Sequence, residues 1–129
     1  MSSERFERGL GIRREVLGDA YVDNALKSAT EFTQPLQELI SEHAWCDIWS
    51  RDALPRPTRS LVTIGILAAL KAPNELKVHV LGALRNGCSV EEIQEVLLQI
   101  AVYCGAPAGI EAFKAAKEVV EAWQEGETD

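Results

Sequence analysis

The alternation of apolar and polar positions along the chain describes a succession of helices. Phe6, Leu10, Val16 and Leu17 recur at near-helical spacing and stop at Gly18, which predicts a helix over 3–17. Ala25, Leu26, Ala29 and Phe32 share one side of a second predicted helix over 23–32. The pattern is disturbed at Pro35 and resumes through Leu36, Leu39, Ile40, Ala44 and Trp45. Thr33 is therefore expected to cap a fresh helix with Pro35 in its first turn. Residues 51–57, with two prolines and little periodicity, read as a loop. Thr58 is the expected cap of the next segment, whose stretch 61–70 is apolar nearly all round. A helix of that kind is buried on most faces, in its own domain or against other subunits.

Pro73 and Asn74 are expected to break the chain and cap a helix running to Asn86, with Gly87 as its C-terminal cap. Ser89-Val90-Glu91-Glu92 is a capping box, and it starts a helix with Ile93, Val96, Leu97 and Ile100 inward. After Gly105 and Pro107 a last helix runs to about Gln124 through Ile110, Phe113, Ala116, Val120 and Trp123, leaving 126–129 to fray. The β-branched run Val62-Thr63-Ile64 is too short for a strand, and no hairpin dipeptide joins two alternating segments. The expected fold is all-α, with about six helices in a single domain over 1–129.

Composition narrows the function. A 129-residue chain with 47% hydrophobic and 26% charged residues is long enough for a real core and is ordinary for a soluble globular protein. Its net charge of −7 argues against nucleic acid or an anionic membrane as partner. No apolar run is long enough to span a membrane, and the charged stretch 1–14 has no signal-peptide core, so the cytoplasm is the expected location. Cys46, Cys88 and Cys104 are widely spaced, which favours small buried hydrophobes over a disulfide or zinc framework. A helix apolar on all sides and three tryptophans offer more apolar surface than one small core uses, which points to a homo-oligomer.

Three groups of residues could carry chemistry. Glu75 and His79 stand four apart on one helix face, with Gly82 and Ala83 beyond them. The pair suits general acid–base work beside a notch, or equally a surface ion pair. Arg51, Arg56 and Arg59 cluster on a proline-stiffened segment that could grip carboxylates despite the acidic whole; a solvated loop accounts for them as well. His43, Trp45, Asp47 and Trp49 fall within seven residues, a composition shared by ligand pockets, cores and interfaces.

Taken in order, several segments resemble the carboxymuconolactone decarboxylase family. They are Arg13-Arg14-Glu15-Val16-Leu17-Gly18-Asp19, His43-Ala44-Trp45-Cys46-Asp47-Ile48-Trp49, Leu54-Pro55-Arg56, Thr58-Arg59-Ser60-Leu61-Val62-Thr63-Ile64, Glu75-Leu76-Lys77-Val78-His79-Val80, Ala83-Leu84-Arg85-Asn86-Gly87, Glu91-Glu92-Ile93 and Tyr103-Cys104-Gly105-Ala106-Pro107-Ala108. The resemblance covers nearly the whole chain. In the wider alkylhydroperoxidase-D-like superfamily a Cys-x-x-Cys precedes this histidine; here those positions are Ala72 and Glu75, and the superfamily's upstream Glu is Ser60. The family usually has Gly where Cys46 stands and often His where Pro57 stands.

The resemblance implies an alkylhydroperoxidase-D-like helical bundle assembled as a ring, a trimer or a hexamer. It also implies cofactor-free loss of CO2 from 4-carboxymuconolactone, giving the β-ketoadipate enol-lactone of protocatechuate breakdown. The lactone is its own electron sink, so the reaction needs no metal or organic cofactor. In this reading Arg56 and Arg59 bind carboxylate, and His79 stabilises the enolate and supplies the proton. Glu75 orients His79, His43 is a second proton donor, and Trp45 and Trp49 wall the pocket. Two alternatives remain at this point: a thiol-dependent peroxidase-like member of the superfamily, and a non-catalytic oligomeric binding protein on the same fold.

Overall fold

The first helix is set by two local devices. The Ser3 hydroxyl accepts the Phe6 N–H at its start, and Gly18 at φ 93° turns the chain at its end. The computed structural model describes residues 3–126, and every regular element among them is helical. These are α1 (Glu4–Leu17), α2 (Asp19–Ser28), α3 (Gln34–Ile40), a π-helical turn (Ser41–Cys46) that continues α3, α4 (Arg56–Ala69), α5 (Pro73–Arg85), α6 (Val90–Cys104) and α7 (Ala106–Gln124). The α-helices number seven among the described residues, against about six expected, and single glycines, Gly18 and Gly105 (φ 98°), separate α1 from α2 and α6 from α7 without an intervening loop. Gly126 lies in a turn, and the rest of the predicted frayed tail, 127–129, lies outside the described residues.

Several boundaries differ from the sequence expectation for identifiable reasons. α2 begins at Asp19 and ends at Ser28, so Val22 is its buried residue while Phe32 is 92% exposed. Thr30 and Thr33 close a turn by exchanging bonds: each backbone N–H donates to the other's hydroxyl, at 2.8 and 3.3 Å. Thr33 thus serves the turn and makes no side-chain cap on α3. α4 starts at Arg56, before Thr58, and α5 at Pro73, with Ala72 and not Asn74 at its cap. Pro57 and Pro73 both sit in first turns, where a missing N–H leaves no helical bond unmade. The Ser89 capping box forms with both of its bonds, at 3.0 and 2.8 Å.

The chain forms two compact units, one ending at Pro55 and the other starting at Arg56. In the first, α1 packs on α2 and on the π-helical turn, and α3 also contacts that turn. Phe6, Leu10 and Val22 form its cluster, with Leu26 against them. Gly9 permits the closest approach: a Cβ there would lie 1.9 Å from the Ser41 carbonyl oxygen.

In the second unit α4, α5, α6 and α7 pack around Ile64, Leu76, Val80, Ile93 and Leu97, each at most 1% exposed. Burying each such side chain contributes roughly 2 kcal/mol. The all-round apolar helix, α4, buries Ile64 and Ala68 but leaves Val62 and Ile66 about half exposed, and Leu70, just past its end, more so. Within the chain, therefore, it is buried on one face only. Cys46 and Cys88 are buried as expected, whereas Cys104 is exposed because it ends α6 just before the Gly105 turn.

Replacing Gly9 with Ala should cost about 1–3 kcal/mol, since a methyl must displace backbone and no flexible side chain can yield. Gly11→Ala is the control: a Cβ there meets nothing within 4 Å, and in mid-helix it should be neutral or gain up to ~1 kcal/mol. Urea unfolding of both variants measures the difference.

Candidate active site

In the C-terminal unit the candidate residues are carried by two helices locked at one end. The Asn86 amide donates to the Ser60 hydroxyl at 2.9 Å, and the Cys88 thiol donates to the Pro57 carbonyl at 3.2 Å. The start of α4 thereby lies against the end of α5, and the two helices run antiparallel. Ser60 is fully buried. The position that carries Glu in the wider superfamily here holds a small neutral group whose hydrogen bond is met by an amide. Burial pushes the Cys88 thiol up to about 11, so it stays protonated and inert near neutral pH.

Arg56 and Arg59 occupy the first turn of α4, both half-buried, with the Arg59 Nε shielded from solvent. His79 is half-buried on α5 and its Nδ1 is likewise shielded. Glu75, one turn earlier, is exposed. Ala83 belongs to the core cluster and Gly82 is buried, so the small residues beyond His79 are part of the packed interior. On its outer side α5 is tied to α7 by the Lys77–Glu118 ion pair at 2.6 Å. A largely apolar groove of about 460 Å³ between α6 and α7, rimmed by Lys114 and Lys117, is lined by none of the predicted site residues.

In the N-terminal unit the π-helical turn organises the other candidates. Its wider winding shows in the Trp49 N–H, which donates to the Ala44 carbonyl five residues back at 3.0 Å. Such turns recur at functional sites. Trp45 and Trp49 are buried and stacked, with ring centroids 4.9 Å apart. His43 Nδ1 lies 3.1 Å from Asp47 Oδ2, and the same oxygen accepts from Arg5 at 2.6 Å. Arg51 is exposed in the short loop between the units' helices.

The profile of the "Carboxymuconolactone decarboxylase family" matches residues 34–118, about two thirds of the chain. The chain belongs to the carboxymuconolactone decarboxylase family. It is 50% identical over 107 residues to a nitrosuccinic acid decarboxylase of Metarhizium robertsii, covering 83% of this chain and 75% of that protein. It is 42% identical over 116 residues to a 4-carboxymuconolactone decarboxylase of Acinetobacter baylyi, covering 90% and 87%. A 4-carboxymuconolactone decarboxylase sequence from Pseudomonas putida is 43% identical over 44 residues, 34% of this chain. Every candidate site residue lies inside the segment that matches the family.

Asp47 belongs to the cluster with His43 that the sequence offers, and its four-residue spacing from His43 suits the contact. Arg5, Asn86 and Arg13 carry no such local signal, because their contacts join distant parts of the chain.

The hydrogen bond from Arg5, supported by that of His43, holds the Asp47 carboxyl below its ordinary value of 3.8. Because the folded pKa is depressed, the pairing is fully present above the unfolded value and is lost as pH falls through the folded one. Carboxyl-carbon NMR should give Asp47 a midpoint below 3.8, and Arg5→Ala should return it toward that value.

Proposed function

We propose that the chain decarboxylates a small dicarboxylate whose departing CO2 leaves its electrons in a built-in sink, 4-carboxymuconolactone being the first candidate. The observation that carries this reading is family membership with 42% identity across nearly all of a named 4-carboxymuconolactone decarboxylase. In that lactone the electron pair of the broken C–C bond moves through the ring double bond onto the lactone carbonyl oxygen. A proton then adds to the ring carbon beside that carbonyl, completing the enol-lactone. Nitrosuccinate is a second candidate, favoured by the 50% identity to its named decarboxylase. It too has two carboxylates, one of them on a carbon that can pass electrons to a sink, here the nitro group.

The roles follow from what each group can do. Arg56 and Arg59 offer forked donors for carboxylate. His79 stabilises the oxyanion and returns the proton, and Glu75 orients and tunes it. On α5, His79 stands seven residues before Asn86, which is level with Ser60. That puts it about 10 Å along the axis from the Ser60 level and about 12 Å from that of Arg59, a span that the Arg59 side chain and a small dianion can fill between them, with Arg56 about 4–5 Å further out. His43 is the second proton-donor candidate, and Trp45 and Trp49 supply apolar wall. The residues proposed for the chemistry are side chains acting on a substrate that carries its own sink, so no cofactor has a step to perform.

The exposed apolar residues of α4 and α6, Val62, Ile66, Leu70, Leu98, Val102 and Tyr103, support self-association into the ring expected of the family, as a trimer or hexamer. Ile66→Asp should shift the assembly toward monomer in sedimentation velocity; an unchanged sedimentation coefficient would remove α4 from the interface.

The test of function is to offer both substrates to the chelator-treated protein and follow the ultraviolet absorbance of the lactone and the release of CO2. Turnover of either supports the reading and chooses the substrate; turnover of neither by an intact assembly rejects it. On the accepted substrate His79→Ala should lower kcat about 100-fold, the loss of ~3 kcal/mol expected for one oxyanion donor. A change of only a few-fold would remove His79 from that role.

A further inference from the structure

Among the described residues, Arg13 is the only charged side chain that is fully buried, at 6% exposure. Its Nη1 donates to the Gln37 side-chain oxygen at 2.9 Å, and its guanidinium carbon lies 6.0 Å from the centre of the Tyr21 ring. No carboxylate of the described residues pairs with it, and its Nε is shielded from solvent without a hydrogen bond. Ser41, fully buried, has a hydroxyl in the same condition.

Both groups belong to one seam. Gly9 of α1 sits against the Ser41 carbonyl, and one turn further along α1 Arg13 meets Gln37, one turn before Ser41. With Nη1 engaged by Gln37, the Nε N–H of Arg13 is left unbonded, and Nε with Nη2 forms the edge whose parallel N–H groups grip a carboxylate with two bonds. The Gln37 amide and the Tyr21 side chain, which acts through its hydroxyl as well as its ring, only partly offset the desolvated charge, and burial still pushes the Arg13 pKa below its ordinary value.

We propose that the seam between α1 and α3 is an anion site, in which a substrate carboxylate is held by the Nε/Nη2 edge of Arg13 with the Ser41 hydroxyl as a further donor. This rests on the dicarboxylate reading above for the identity of the anion; Arg13 and Ser41 both belong to the first unit, and Arg13 precedes the family match at residue 34. The same chemistry would serve a free inorganic anion, so the two sources are separated experimentally.

The probe is succinate, a dicarboxylate with no electron sink, titrated calorimetrically into the full-length protein, with sulfate as the inorganic comparison. Wild type should bind succinate in preference to sulfate. Arg13→Met should melt no lower than wild type without ligand, because an uncompensated charge has been removed, while binding succinate at least tenfold more weakly. Arg13→Lys, which keeps the charge but not the two-pronged edge, should also bind more weakly, and it serves if the Met variant does not fold.

Unchanged succinate affinity in a folded Arg13 variant overturns the site, as does an Arg13→Met protein that is destabilised without any change in binding. Equal or tighter sulfate binding overturns the assignment to a substrate carboxylate. Decarboxylation with unchanged KM in Arg13→Met would sink this proposal and leave the function standing. Succinate binding through Arg13 without turnover of either substrate would do the reverse.

Discussion

The hydrogen bond from Asn86 to the buried hydroxyl of Ser60 fixes the register of α4 against α5, and the placement of Arg56, Arg59 and His79 follows from that register. A slip by one turn would move the arginines by about 5 Å relative to the histidine and leave two buried polar groups unmatched. Cys88 reinforces the lock through the Pro57 carbonyl, so a thiol with no plausible part in nucleophilic chemistry has a structural one. That use of cysteine, with Cys46 buried and Cys104 far along the chain, leaves the dithiol alternative without a paired motif.

Electrostatics reconciles a net charge of −7 with the proposed dianionic substrate. The global charge acts at long range and is screened, whereas a guanidinium in a partly desolvated position acts at hydrogen-bond distance. Arg56 and Arg59 are half-buried and Arg13 is almost wholly so, whereas Arg5 lies exposed in its ion pair with Asp47. The acidic exterior and the proposed cationic contacts are therefore compatible, because they act over different distances.

Much of the fold was legible because its signals are local. The capping box at Ser89, the glycine stops at Gly18, Gly87 and Gly105, and the apolar periodicity of α1, α6 and α7 all act within a few residues. Starts of helices were misread where proline competes with a polar cap: Thr58 and Asn74 looked like caps, yet the helices begin at Arg56 and Pro73. The π-helical turn was not legible, since one extra residue per turn alters spacing less than sequence noise does. The candidate residues themselves were found from type, spacing and family resemblance. Asn86 with Ser60, Arg5 with Asp47 and the burial of Arg13 were not, because each depends on segments 26 or more residues apart meeting in space, or on burial that no local pattern encodes.

In the proposed reaction, side chains of this protein deliver the proton to the carbon chain of a substrate that carries its own electron sink. The decisive measurement is to run the lactone reaction in D2O and read the product by deuterium NMR in a chiral aligning medium, which resolves the two enantiotopic positions of the ring carbon beside the carbonyl. A proton held by one positioned donor reaches one face of the enolate, so a single deuterium in one of those positions is expected. Equal labelling of both positions in freshly formed product would mean that the enolate takes its proton from bulk water, and would overturn the proposed role of the side chains.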